Sequence, residues 1–160
     1  MKCLMELDHF PLTWEEKLAY LTFKFLKEDQ TGCPLVHLFE DGHYIREMRI
    51  PAETLFIGRP HVFGHRVDLV EGKILHIEEH QKVVRYAPFS VHTVPGYQAV
   101  FYTMSDIVGR TYHPDDGERD TDVLENRYFE PVEKLKTLGA QVRARIKQIE
   151  AARVLEAQPA

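Results

Sequence analysis

Between Leu35 and Tyr112 the chain is a succession of short strand-like runs, each closed by turn chemistry. Leu35 to Phe39 comes first, then the turn Glu40-Asp41-Gly42-His43, where Gly42 can supply a positive φ, then Tyr44 to Ile50. Thr54 to Ile57, Val67 to Val70, Lys73 to Glu78, Lys82 to Tyr86, Ser90 to Val94, Gln98 to Thr103 and Ile107 to Tyr112 follow. The breaks between them are Pro51-Ala52, Gly58-Arg59-Pro60, Glu71-Gly72, Glu79-His80-Gln81, Ala87-Pro88, Pro95-Gly96 and Ser105-Asp106. Eight or nine strands at this spacing predict a β-sandwich or barrel. On Tyr44 to Ile50, the alternation puts Tyr44, Arg46, Met48 and Ile50 on a mixed face and Ile45, Glu47 and Arg49 on a more charged one.

Helices flank the strands. Thr13-Trp14-Glu15-Glu16 is a capping box, in which the Thr13 hydroxyl accepts from the Glu16 amide and the Glu16 carboxylate reaches back. It predicts a helix from about Trp14 to Lys27, with Leu18, Leu21, Phe25 and Leu26 on one face and Gln30 to Pro34 ending it. From about Val132 to Leu155 the period is helical again. Leu135, Leu138, Val142, Ile146 and Ile149 form a stripe read as an interface, and Gly139 weakens the middle by about 1 kcal/mol relative to Ala. Residues 156–160 are expected to fray. The chain thus divides into an N-terminal helical segment (1–32), a β-barrel (33–124) and a helical tail (125–160). The helices carry too little apolar surface to stand alone and are expected to cover the barrel or to pair with copies of themselves.

The bulk numbers narrow the function. With 160 residues, one domain is expected. A net charge of −5 argues against general nucleic-acid binding. No apolar run approaches the ~18 residues of a membrane span, and the first eight residues do not read as a secretory signal, so an intracellular protein is expected. Cys3 and Cys33 form no CxxC pair, which excludes a zinc ribbon; two reduced thiols are expected. The acids of Asp115 to Asp122 lack EF-hand spacing and read as a solvated turn. Ser90 and Ser105 have no nucleophile-elbow context, and there is no phosphate-cradling glycine loop.

One segment carries candidate chemistry: Gly58-Arg59-Pro60-His61-Val62-Phe63-Gly64-His65, with Gly72 beyond it. On a strand, residues four apart share a face, so His61 and His65 would both point into a barrel, unless Gly64 bulges the strand. Neutral imidazoles suit zinc, iron, copper or nickel. His113, His92, Asp68 and Glu71 are the available third ligands; the metal set carried forward is His61, His65 and His113.

Gly58, His61, His65 and Gly72, followed by Pro95-Gly96, resemble the two signature segments of the cupin superfamily. Arg46-Glu47-Met48-Arg49-Ile50-Pro51-Ala52 with the two histidines looks more closely like small cupin-like proteins of tailed bacteriophages and prophages. Cys33-Pro34, Ala87-Pro88, Ser105-Asp106, His113-Pro114 and Thr121-Asp122 also match that pattern, and the resemblance covers Cys33 to Leu124. It implies a mainly-β, cupin-like jelly-roll barrel, dimeric or higher. Enzymatic cupins hold a divalent metal with three histidines and one glutamate. Here the first two histidines are separated by three residues rather than one, Ala99 stands where the last histidine would be, and no glutamate has the expected spacing after His65.

The expected function is therefore a non-catalytic phage structural or interaction protein, a decoration, adaptor or tail component. It would form homo-oligomers, meet other phage structural proteins, and pass from the host cytoplasm to the virion without a cofactor. The alternative is a metal-binding cupin that binds or transforms a small molecule at a histidine site. A sugar-binding barrel is the third reading.

Overall fold

Strand alternation becomes two antiparallel sheets. The structure is a computed structural model that describes residues 2–28 and 32–156, without the side chains of Lys2 and Cys3. The expectations for Cys3, for Gln30 and Thr31 at the helix end and for residues 157–160 lie outside the described residues.

Nine strands are described: β1 (Leu35–Glu40), β2 (His43–Ile50), β3 (Leu55–Ile57), β4 (Arg66–Glu71), β5 (Lys73–Ile77), β6 (Lys82–Tyr86), β7 (Phe89–His92), β8 (Val100–Thr103) and β9 (Ile107–Pro114). One sheet has the order β1-β2-β9-β4-β7, the other β3-β8-β5-β6. Setting β1 aside, the pairs β2–β9, β3–β8, β4–β7 and β5–β6 are nested, each inside the one before in chain order. That nesting across two four-stranded sheets is the jelly roll, two Greek keys closed on one interior. The mainly-β jelly-roll expectation, with helices at both ends, is met. The β1–β2 turn uses Asp41 (φ 50°) and Gly42 (φ 75°), the pair of positive φ values that a tight two-residue hairpin needs.

The face of β2 read as mixed is the inner one. In register, Tyr44 meets His113, Arg46 meets Thr111, Met48 meets Gly109 and Ile50 meets Ile107. Ile50 and Ile107 join Leu69 and Ile74 in a buried cluster against which Met48, Phe56, Phe89 and Phe101 pack. At the other end Tyr44 joins Leu124, Tyr128 and Phe129. The charged face carries a buried acid all the same. Glu47 accepts from Arg110 Nε (2.8 Å) and pairs with Arg49, and the Arg110 hydrogen bond above all holds its carboxyl below the usual range.

The helices are α1 (Lys2–Glu6), α2 (Trp14–Phe25), α3 (Thr121–Tyr128) and α4 (Val132–Glu156), with a 3-10 turn at Leu7–His9. The capping box forms as read: Glu16 N donates to Thr13 Oγ1 (3.2 Å) and Thr13 N to Glu16 Oε2 (2.8 Å). Two compact units result. One comprises residues up to 28 with those from 131 onward, the other residues up to 130 from the start of the barrel.

In the helical unit α2 and α4 pack on each other through their apolar faces. Leu18, Ala19 and Leu21 are buried on α2, and Leu135, Gly139, Val142 and Ile146 on α4. Of the stripe read as an interface, Leu138 and Ile149 are half-buried and the other three are covered within the chain. Gly139 explains the close packing, because a Cβ there would lie 2.3 Å from Phe23 Cβ and 2.7 Å from the Ala19 carbonyl oxygen. On the α2 face, Leu26 is exposed rather than buried, since it sits at the C-terminal cap.

Helix α3 was not expected from the sequence and belongs to the β unit, so residues 125–130 go with the barrel. Asp120 caps it, accepting from Asp122 N (2.9 Å), and Leu124 and Tyr128, four apart, face inward. The neighbouring acids are occupied as turn and pairing groups: Asp115 takes Arg119 and Gly117 N, and Asp116 pairs with Arg127. Cys33 is a free, half-buried thiol.

Candidate functional site: a chamber inside the jelly roll

His61 and His65 sit on a loop, not on a strand, so the expected strand periodicity does not govern them. The loop is held on two sides. The turn Val94-Pro95-Gly96-Tyr97, closed by Gly96 at φ 83°, receives it through Gly96 N to His61 O (2.8 Å) and His61 N to Tyr97 O (3.0 Å). Thr93 adds four bonds: its N to His65 O (2.8 Å), His65 N to its Oγ1 (3.1 Å), its Oγ1 to His65 O (3.1 Å), and its Oγ1 with His65 Nδ1 (2.9 Å). On the far side Val62 N donates to Tyr128 O (2.9 Å), and His61 bridges to Phe129. Gly64 permits the approach, since a Cβ there would lie 2.7 Å from the Thr93 carbonyl oxygen.

The loop stacks the two rings face to face, with centroids 3.7 Å apart and planes at 19°. His113, from β9, stands 5.3 Å from His61 and 5.1 Å from His65 and lies flat on Tyr128 at 4.1 Å. All three are buried. Burial, then the neighbouring His65 and His113, pushes His61 down to about 2. Burial and His65 push His113 down to about 3, and burial lowers His65. His61 and His113 are therefore neutral at any ordinary pH. Two of its nitrogens, His61 Nδ1 and His113 Nε2, are buried without a hydrogen-bond partner.

Neutral imidazoles with unused nitrogens are chemically apt metal donors. Their placement is not. Zinc–nitrogen distances of ~2.0–2.1 Å in a tetrahedral set keep ring centroids about 5 Å apart. His113 meets that spacing with each of the others, but the stacked His61–His65 pair does not. Among the described residues no group of three or more His, Cys, Asp or Glu side chains is disposed to hold a metal ion. The other third-ligand candidates lie elsewhere. Asp68 is tied to Arg66 and Ser90, while His92 and Glu71 are exposed on β7 and at the end of β4.

His61 and His65 instead line a cavity of about 100 Å³ between the sheets. A single water needs ~10–15 Å³ on the same measure, so the space is large enough for a small organic molecule. One end is apolar, with Met48, Ile50, Phe56, Phe101 and Ile107; the other carries Arg46, Arg59 and Thr111 beside the histidines. Ala99, where the cupin resemblance would place a histidine, is part of the wall. Arg46 lies 4.3 Å and Arg59 5.1 Å over the Phe129 ring. Both reach one carboxylate, Glu125, at 2.9 Å and 3.4 Å. The sequence reading did not single out Arg46, Arg59, Thr111, Glu125 or Phe129. The available signal was Arg46 itself, an arginine in the apolar row Tyr44, Met48, Ile50.

The strand order and the chamber between the sheets define the class: a jelly-roll protein with an interior site. No protein-family model and no curated protein matches the chain. Solved structures similar to it include the cupin domain of an XRE family transcriptional regulator from Enterobacter cloacae, 12% identical over 53% of this chain and 100% of that one, with a TM-score of 0.44. An RmlC-like cupin protein from Ralstonia eutropha is 17% identical over 58% of this chain and 66% of that one, also at 0.44. An acetylacetone dioxygenase from Acinetobacter johnsonii is 16% identical over 55% and 67%, at 0.43. Likenesses this slight carry nothing about ligand or reaction, and nothing in them points to a phage origin.

Proposed function

We propose that the barrel is a cupin-like binding domain whose chamber takes a small organic molecule, with His61 and His65 as neutral hydrogen-bonding walls. The chamber itself supports this reading most directly. It lies between the sheets, is largely apolar, and carries a few buried polar groups at one end, the usual make-up of a small-molecule site. A barrel serving only as a spacer has no need to keep such a space open or to bury two unpartnered imidazole nitrogens.

Gly109 offers the test. It lines the chamber on β9, and a Cβ there meets only the Asp68 carbonyl oxygen, at 3.9 Å. Gly109→Leu fills the chamber from a position with room for the branch. Ligand-observed NMR with a small library of neutral and charged fragments should find binders for the native protein that Gly109→Leu no longer holds. Equal binding to both proteins, or none to either, would defeat the reading.

The tailed-phage structural role rests on the motif resemblance alone, homo-oligomerisation on that resemblance and the Leu135 to Ile149 stripe, and both are kept as a second proposal. Mass measurement of the oligomer in solution tests the latter.

A further inference from the structure

We propose that the chamber recognises a small organic carboxylic acid, its carboxylate held at the Arg46–Arg59–Thr111 end and its short apolar body against Met48, Phe56 and Phe101. The inference rests on the chamber reading above and adds the class of ligand. It stands on three observations.

The first is charge. Arg46 and Arg59 are both largely removed from solvent, their side chains 15% and 24% exposed, yet they share one carboxylate. Two buried guanidinium groups against one carboxylate leave a positive charge to be met. Burial above all lowers the Arg59 guanidinium; Glu125 opposes that shift, and the Arg46 charge adds to it. The histidines cannot supply a counter-charge, being neutral or cationic.

The second is unused hydrogen-bonding capacity. Arg46 Nε, Arg59 Nε and Thr111 Oγ1 are all buried without a partner. Buried polar atoms in native proteins are nearly always satisfied, so three on chamber-lining residues mark where a ligand's acceptors go. Arg46 and Thr111 are cross-strand partners in the β2–β9 register, which brings them together independently of the loop. Glu125 takes one Nη group of each arginine and the Glu130 carbonyl oxygen takes the other Nη of Arg59 (2.9 Å), so the two unpartnered Nε groups are the donors left for a second carboxylate.

The third is the rest of the wall. Met48, Ile50, Phe56, Phe101 and Ile107 offer nothing to a polar body. An inorganic anion would leave them facing empty space or water, whereas a short hydrocarbon tail covers them.

The test uses the full chain with propionate and butyrate as probes, propionamide and butyramide as neutral isosteres, and inorganic phosphate as the anion without a tail. Binding is read by isothermal calorimetry and by the imidazole proton resonances of the three buried histidines. The acids should bind saturably and shift those resonances, the amides should be at least about tenfold weaker, as expected for losing a charged hydrogen-bonded pair, and phosphate weaker than butyrate. Arg59→Gln should cost about tenfold or more in butyrate affinity. Should that variant fold poorly, Thr111→Val removes a single unpartnered hydroxyl and should weaken butyrate while leaving the melting temperature unchanged or raised. Amides binding as well as acids, in a manner lost in Gly109→Leu, would overturn the carboxylate inference and leave the chamber reading standing. Phosphate matching butyrate would overturn the organic-acid assignment. No binding by any probe would overturn the inference, with the neutral fragments above then deciding the chamber reading.

Discussion

His61 lies flat on His65, ring centroids 3.7 Å apart, because the intervening Gly64 folds the loop back against Thr93. The pair was expected to share a face through strand periodicity. It shares a face through a loop held by the Pro95-Gly96 turn on one side and Tyr128-Phe129 on the other. Stacking follows from that tethering, and it places the imidazoles as chamber wall rather than as converging donors.

Gly64→Ala tests the fold-back. Its Cβ would sit 2.7 Å from a backbone oxygen, which cannot swing away as a side-chain end can. We expect a loss of about 1–3 kcal/mol, as for other overpacked sites, measured by urea denaturation. A loss below ~0.5 kcal/mol would show that the loop shifts freely.

Acid should destabilise the protein in two stages. In the unfolded chain a histidine protonates near pH 6.5, but His61 and His113 stay neutral in the fold down to about 2 and about 3. Between pH 6.5 and about 3 the unfolded state binds more protons, so stability falls as pH falls, by up to about 1.4 kcal/mol per pH unit for each histidine. Glu47 acts lower. Its lowered carboxyl contributes stability above the unfolded value of 4.5, lost as pH falls through its folded value. In a denaturation series from pH 8 to 4, His113→Phe should flatten the profile between pH 6.5 and 4.5, and Glu47→Gln should not. Parallel slopes for His113→Phe and the native protein would refute the assignment.

Gly139→Ala sets helix propensity against packing. Propensity alone predicts a gain of roughly 1 kcal/mol. The clash with Phe23 Cβ at 2.3 Å and the Ala19 carbonyl oxygen at 2.7 Å predicts a loss instead. Packing should win, because both neighbours belong to a second helix and must move with its backbone; a net loss of about 1–3 kcal/mol is expected from thermal denaturation. A raised melting temperature would mean that α2 and α4 are not closely packed at this point.

Phe129→Ala removes the ring beneath Arg46 and Arg59 and the partner of His61, which lies 4.2 Å from it. Burial in the Tyr44 cluster makes the cost of truncation about 3–5 kcal/mol. Phe129→Leu keeps most of the volume and loses the π face, so it separates packing from the cation–π contribution of about 0.5–2 kcal/mol. No loss in Phe129→Leu beside a full loss in Phe129→Ala would show that the ring face contributes nothing.

The sequence by itself determined a β-sandwich or barrel, the flanking helices and the two unlike faces of β2. Those depend on local periods and turn chemistry: alternation over Tyr44 to Ile50, positive-φ glycines at the turns, the capping box at Thr13. It also singled out His61, His65 and His113, which the fold does gather. Only the tertiary structure decided what that gathering is worth. Whether two imidazoles converge or stack depends on where Thr93 and Tyr128 hold the loop, contacts about 28 and 66 residues away in the chain that no local pattern encodes. The same holds for Arg46 and Arg59, far apart from Glu125 in the sequence, which become two buried charges on that one carboxylate when α3 folds against the barrel's end. For Gly139 the sequence saw a weak helix position, and the fold shows a close contact between two helices.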